Sequence, residues 1–281
     1  MDKSKLDMTV WSPTSWNLWK TCPAKYRIKK VERWQRPDLK EDSEFAKLAI
    51  PGLVVDRMLQ FWLHRKRFAD MRWVNENIGM VWSMIESEIH PQWSTTEEIR
   101  SVKEETWQGL RTAIRMLEEL HIEEYDLRIQ PTFFEKITAS LSVAGSADLL
   151  LVGKNSVDAV LIDFKNAHRR ERITKDQLVI YQIGLKKKTP YNFTQSGYLM
   201  FNPRLEQWKW FKIGTPHEEK MIEKLALATE QVLQQKFDYT WNHFTCPRFC
   251  DVRFACEMFQ RIAGKTIPAK DSKSKIFLLA R

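Results

Sequence analysis

Two aspartates and a lysine stand within one short stretch of this chain. Asp148 opens the apolar run Leu149-Leu150-Leu151-Val152, and Asp163 closes the next run, Ala159-Val160-Leu161-Ile162, followed by Phe164 and Lys165. Side chains alternate along a strand, so Asp163 and Lys165 share a face. A turn at Gly153-Lys154-Asn155-Ser156 would let the two runs pair, setting Asp148 beside Asp163. Two adjacent carboxylates repel unless a cation lies between them, and hard oxygen donors suit Mg2+ or Mn2+. A lysine beside the pair can orient a water or stabilise charge growing on a phosphate. These are the parts for metal-assisted phosphodiester hydrolysis. Taken singly, an aspartate at a strand end is far more often a solvated turn residue.

The four cysteines form a second group. Cys246, Cys250 and Cys256 lie in CPRFCDVRFAC as C-x3-C-x5-C, while Cys22 stands far upstream, just before Pro23. Scattered thiols would read as four unrelated core residues, but three so close together do not. In a reducing compartment, disulfides are not their purpose. Four thiolates suit either a zinc ion or an iron–sulfur cluster. The spacing is not the C-x2-C of a zinc finger, which weighs against zinc.

The elements that must hold these groups can be read from local pattern. Ser12-Pro13 caps a helix through Trp16 and Trp19 to about Thr21, ended by Cys22-Pro23. A second helix starts at Pro51-Gly52 and carries Val55, Leu59 and Trp62, and residues 57–125 are helical in pattern. Within them Thr95 and Glu98 form a capping box before Ile99, Val102, Thr106, Leu110, Ala113 and Leu117. Ile137, Ala139, Leu141 and Val143 then alternate with polar residues as in a half-buried strand. With the two apolar runs after it, this predicts an antiparallel meander. A helix over about 175–185 follows, then strands over 197–201 and 207–213. Thr215-Pro216 opens a last helix with Met221, Leu225, Ala228 and Val232 on one face. The expected organisation is an N-terminal helical segment (1–50), a helical insertion or lid (51–127), a core (128–240), a cysteine-rich segment (241–263) and a flexible basic tail (264–281). The tail ends in Ile276-Phe277-Leu278-Leu279, either a partner-docking peptide or a strand packed on the body.

Composition sets the frame. The 281 residues are 43% hydrophobic and 29% charged, which excludes wholesale disorder. No apolar run is long enough to span a membrane, and the first residues lack an apolar stretch of signal-peptide length. A cytoplasmic location, or a nuclear one in a eukaryotic host, is expected. The formal charge of +9 favours a polyanionic partner, nucleic acid being the commonest, though a moderately basic protein of any class would also fit. Trp19, Trp62 and Trp107 are candidate base-stacking platforms, with core packing the better reading of each.

The ordered blocks together resemble the PD-(D/E)xK nuclease superfamily in its RecB-like branch. Its cluster-bearing members include the CRISPR-associated adaptation nuclease and the AddB nuclease domain. GSADLLLV…AVLIDFKNA (145–167) resembles the branch's G-x-x-D…(V/I)-x-D-x-K block, and Gln177-Leu-Val-Ile-Tyr181 its Q-x-x-x-Y motif. SPTSWNLWKTCPAKY (12–26) is similar to the S-x-S…CP opening of cluster-bearing members, and the cysteine trio to their closing element. The resemblance covers both ends and residues 128–215, not 57–125.

It implies an α/β fold with a restriction-endonuclease-like mixed central sheet flanked by helices, a helical insertion and an iron–sulfur cap joining the N- and C-terminal segments. Asp148 and Asp163 become metal ligands, with the Phe164 carbonyl completing the shell, and Lys165 the catalytic lysine. Gln177 and Tyr181 would support the site and contact DNA. Cys22, Cys246, Cys250 and Cys256 would hold a 4Fe–4S cluster, which favours iron over zinc. One departure is Gly52-Leu-Val-Val-Asp56 where the family often has G-x-x-x-H. Asp56 is either a third oxygen ligand, the favoured reading, or a helix-surface charge; His64, eight residues further on, is a weaker candidate whose default reading is a solvated or structural histidine. Arg169, Arg170 and Arg172, with Lys175 and Lys186 to Lys188, form a basic stretch that reads as a DNA track rather than plain solvated surface. The implied activity is a metal-dependent DNA nuclease, an exonuclease on single strands or DNA ends in recombination, repair, replication or CRISPR adaptation. A helicase or single-strand-binding protein would be its partner. The alternative is a catalytically degenerate module that holds DNA ends for a helicase or polymerase.

Overall fold

The computed structural model describes residues 8–33, 43–65, 71–166, 173–243, 246 and 250–263. The basic residues Arg169, Arg170 and Arg172 and the tail 264–281 lie outside them. In chain order the elements are β1 (Thr9–Trp11), α1 (Pro13–Thr21), α2 (Pro23–Tyr26) with a π-helical turn at Arg27–Val31, α3 (Ser43–Arg65), α4 (Met71–Ile89) and α5 (Thr96–Glu118). Then come β2 (Tyr125–Ile129), β3 (Thr132–Lys136), β4 (Leu141–Ser146), β5 (Leu149–Gly153), β6 (Asp158–Lys165), α6 (Asp176–Lys188), β7 (Asn192–Met200), β8 (Gln207–Phe211), α7 (Thr215–Leu233) and α8 (Glu257–Ala263). The chain divides into two compact units. No helix among the described residues is long and apolar enough to cross a membrane.

The larger unit, Lys40–Phe133 with Gly145–Glu218, holds a mixed sheet of order β2-β5-β6-β7-β8. Only the β6–β7 pair is parallel, and α6 makes the crossover that a parallel pair requires. Strand alternation divides the sheet's side chains between two faces. Leu149, Ile162, Phe164 and Leu199 join Val54, Val55, Met58 and Trp62 of α3 and Leu110 and Ala113 of α5 in one buried cluster. Each Val, Leu, Ile, Met or Phe side chain among them contributes about 1.5–3 kcal/mol by leaving water. The other face carries Asp163 and its register neighbour Tyr198 beneath α6, whose Gln182 Nε2 donates to Ser196 Oγ of β7 at 2.5 Å. α5 begins where Thr95 Oγ1 accepts from the Glu98 N–H at 3.0 Å. Its box is open on one side: the Glu98 carboxylate accepts from the Ser94 N–H instead, at 2.7 Å. Trp107 is half-buried, with Arg111 4.8 Å above its ring.

The smaller unit, Met1–Leu39 with Phe134–Ala144 and Glu219–Arg281, is built on a sheet of order β1-β4-β3. β1 runs parallel to β4, with Trp11 opposite Val143. Ser12 and Ser15 cap α1 reciprocally, each side chain accepting from the other's backbone N–H. Trp11 stacks on Tyr26 at 5.0 Å and meets Trp16 and Trp19 edge-on, and its indole N–H donates to Thr229 Oγ1 on α7 at 2.8 Å. Met221, Leu225, Ala228 and Val232 form the buried face of α7, as their spacing predicts.

Three local expectations are corrected. α3 starts at Ser43, not Pro51: Ile50 is fully buried and Lys47 nearly so, and tertiary burial carries the helix through the proline. Residues 137–140 turn rather than extend, their N–H groups at Ile137 and Thr138 both reaching the Leu141 carbonyl. The meander is broken as well, because β4 pairs with β1 and β3 while β5 and β6 pair in the other sheet.

Candidate active site

Asp148 immediately precedes β5, whose first residue, Leu149, pairs with Ile162. One step further along the same antiparallel register sets Asp148 across from Asp163. Asp148 Oδ2 accepts from the Phe164 N–H at 2.6 Å, which pins that carboxylate to the backbone between Asp163 and Lys165. Asp163 is 1% exposed. Its Oδ1 accepts from Gln177 Nε2 at 2.7 Å, and the same amide donates its second hydrogen to the Tyr181 hydroxyl at 2.7 Å. Gln177 and Tyr181 share one face of α6 because they are four residues apart. The Lys165 ammonium lies 2.5 Å from Asp163 Oδ2, and its side chain is 32% exposed.

Asp56 belongs to the same electrostatic group. It projects from α3, where Gln60 Nε2 donates to its Oδ2 at 2.8 Å, while its Oδ1 is buried without a hydrogen-bond partner. Burial pushes Asp148 well above the usual carboxylate range, and the charges of Asp163 and Asp56 push it further, against the Phe164 N–H and Lys165. Burial likewise raises Asp163, opposed by Lys165. Asp56 is raised by burial first and by Asp163 as well, against Gln60 and Lys165. Burial and Asp163 hold the Tyr181 phenol neutral far above working pH. Asp163 thus raises both Asp148 and Asp56, Asp56 adds to the rise at Asp148, and Asp56 keeps one buried oxygen without a hydrogen-bond partner; carboxylate oxygens of this kind are the donor type a hard divalent cation takes.

Packing sets the acceptor geometry from behind. Phe133 meets Tyr181 edge-on at 6.2 Å and lies directly against Gly184, where any added Cβ would overlap its ring. A Cβ at Gly145 would sit 3.0 Å from Phe133 Cζ and 3.4 Å from the Tyr181 ring, so this glycine is needed for close approach. Asn166, next after Lys165, accepts from Asn202 Nδ2 at 2.9 Å.

The smaller unit brings its four cysteines together. All are free and half-buried, and all line one cavity of about 210 Å3 with Lys25, Tyr239, Trp241 and Phe259 among its walls. Protein contacts close the ring of chain around it. The Ala24 N–H donates to the Asp238 carbonyl at 3.1 Å, Lys25 pairs with Asp251 at 2.7 Å, and Lys29 pairs with the same carboxylate. Burial raises the Cys250 and Cys256 thiols, and Cys246 adds to both effects.

Sequence reasoning singled out Asp56, Asp148, Asp163, Phe164, Lys165, Gln177 and Tyr181, and the structure gathers them at one place. Cys22, Cys246, Cys250 and Cys256 share the cavity. His64 is exposed in the last turn of α3. Among the described residues no three or more His, Cys, Asp or Glu side chains stand close enough to hold a metal ion as they are placed. Tyr198 and Asn166 were missed. Asn166 follows the motif directly and could have been read with it, whereas Tyr198 lies in an apolar strand and only register reveals it.

The family model of the PD-(D/E)XK nuclease superfamily matches residues 10–257, and the chain belongs to that superfamily. No curated protein matches it. Among solved structures it is similar to SSO0001, at 16% identity and a TM-score of 0.36 over 75% of this chain and 85% of that one. It is also similar to a Eubacterium rectale protein described as a candidate exonuclease, at 8% identity and a TM-score of 0.49 over 94% and 96%.

Proposed function

We propose that this protein is a metal-dependent deoxyribonuclease of the RecB-like branch, acting on single strands or DNA ends. The observation that carries it is Asp148 facing Asp163 across paired strands with the Lys165 ammonium on Asp163. Asp148, Asp163 and the Phe164 carbonyl would hold Mg2+ or Mn2+, with Asp56 Oδ1 as a further oxygen; a shell of this kind leaves positions for water and substrate. When bound, the ion lowers the pKa of a water and offsets charge on the scissile phosphate. Lys165 adds a cation beside that phosphate. Gln177 and Tyr181 keep Asp163 oriented, and Tyr181, held neutral, cannot compete as an anion. Arg169, Arg170 and Arg172 are proposed phosphate contacts by charge alone.

The four thiols suit a 4Fe–4S cluster, with Zn2+ as the competing occupant, since four soft donors line one cavity and no disulfide forms. Such a cap would join the N- and C-terminal segments. The proposed setting is recombination, repair, replication or CRISPR adaptation in the cytoplasm or nucleus, beside a helicase or single-strand-binding protein. Asp56 in place of the family's histidine favours a second reading, a degenerate module that holds DNA ends for a helicase or polymerase. Cleavage of labelled single-stranded DNA in Mg2+ or Mn2+ separates the two. Cutting that stops in Asp163→Ala and Lys165→Ala, with DNA still bound, supports the enzyme. A wild-type protein that binds without cutting in either metal supports the module.

A further inference from the structure

Tyr198 pairs in register with Asp163 across the parallel β6–β7 junction and is fully buried. The Lys165 ammonium lies 5.5 Å from the centre of its ring, with the Asp163 carboxylate 2.5 Å away. An aromatic face attracts a cation through the ring's quadrupole, and exclusion of water strengthens that attraction. Lys165 thus has two fixed neighbours, one anionic and one aromatic, although its own four-carbon stem is flexible.

The far end of the same tyrosine is also fixed. Its hydroxyl donates to the Thr174 carbonyl at 2.8 Å. Its partner on β8, Lys209, donates to the preceding carbonyl, Ile173, at 2.6 Å. Two successive carbonyls just ahead of α6 are therefore tied to the sheet, and Gln177, the second residue of α6, meets Asp163 from there. Burial pushes the Tyr198 phenol far up, so it presents a ring and an O–H and not a phenolate.

We propose that Tyr198 is a positioning residue of the cleavage site, its ring face holding the Lys165 ammonium in line with the scissile phosphate. The inference rests on the reading of Lys165 as the catalytic lysine. The ring is buried at 1% exposure, away from any bound strand, so its removal should act on turnover and leave DNA affinity alone.

The test replaces only the ring's character, in the full-length protein. Tyr198→Phe keeps the ring and should cleave within about twofold of wild type. Tyr198→Leu should lower kcat about tenfold, equivalent to about 1.4 kcal/mol, with KM for DNA unchanged. Because Leu also changes the core packing, 3,5-difluorophenylalanine at position 198 supplies a shape-conserving check: it weakens the ring's negative face and should cut kcat several-fold below the Phe protein. Equal rates for the fluorinated and plain Phe proteins would overturn the proposal, as would a Tyr198→Leu loss that Tyr198→Phe fails to restore. A wild-type protein without cleavage, or a Lys165→Ala protein as fast as wild type, would instead remove the reading on which it rests.

Discussion

The Phe164 N–H donates to Asp148 Oδ2 at 2.6 Å, so the backbone between Asp163 and Lys165 dictates where the opposite carboxylate points. An asparagine at 148 can still accept that hydrogen bond but supplies one fewer anionic oxygen to a cation. Asp148→Asn should fold with a Tm at neutral pH equal to or above wild type, because a raised, mutually repelling charge is gone. Its cleavage rate should fall at least about a hundredfold, the loss found even for groups that only support a metal ligand. Cleavage near the wild-type rate would refute the ligand role.

The same carboxylates fix a pH dependence. In the metal-free fold Asp148 and Asp163 titrate above their ordinary value of 3.8. Between that value and their raised ones the folded chain holds more protons than the unfolded chain, so this contribution to stability falls as pH rises. A bound cation favours the ionised carboxylates and reverses the trend. Thermal melts from about pH 5 to about pH 8, in chelator and in Mg2+ or Mn2+, should show a metal-induced gain in Tm that grows with pH. A gain independent of pH would contradict the coupling.

Gln177 spends both amide hydrogens on the site, one on Asp163 and one on Tyr181. Gln177→Leu removes both at similar volume and should slow cleavage about 10- to 100-fold. Tyr181→Phe leaves the Gln177–Asp163 bond, removes the phenol's own hydrogen bond to Asp163 with the one it accepts from Gln177, and should cost less. The order of the two rates checks the geometry; the reverse order would assign Tyr181 a direct part in the reaction.

For the cysteine cavity, elemental analysis of anaerobically purified protein is decisive. Iron with sulfide, brown colour and absorption near about 400 nm are expected. Cys22→Ala and Cys256→Ala should each lose the iron and lower the Tm, since ligand binding and folding are coupled. Zinc in place of iron would overturn the cluster.

Local chemistry made part of this legible in the sequence. Ser12 announces α1, the spacing of Met221, Leu225, Ala228 and Val232 gives α7, and strand parity sets Asp163 and Lys165 on one side. What escaped depends on partners distant in sequence. Pro51 reads as a helix start until the burial of Ile50 is known. Leu141 and Val143 look like the first strand of a meander, yet their neighbours are Thr9 and Trp11. Tyr198 looks like one more apolar strand residue, and only its register beside Asp163 shows where it stands.

Gly184 carries no functional group and touches no carboxylate, yet the Phe133 ring rests on its bare backbone and Tyr181 rests against Phe133. A single methyl at this position would displace the ring and, through it, the phenol that meets Gln177. A search for inactivating changes confined to acids, amides and cations would pass over it. Gly184→Ala therefore belongs among the mutations that silence such a protein without altering any atom that performs the chemistry.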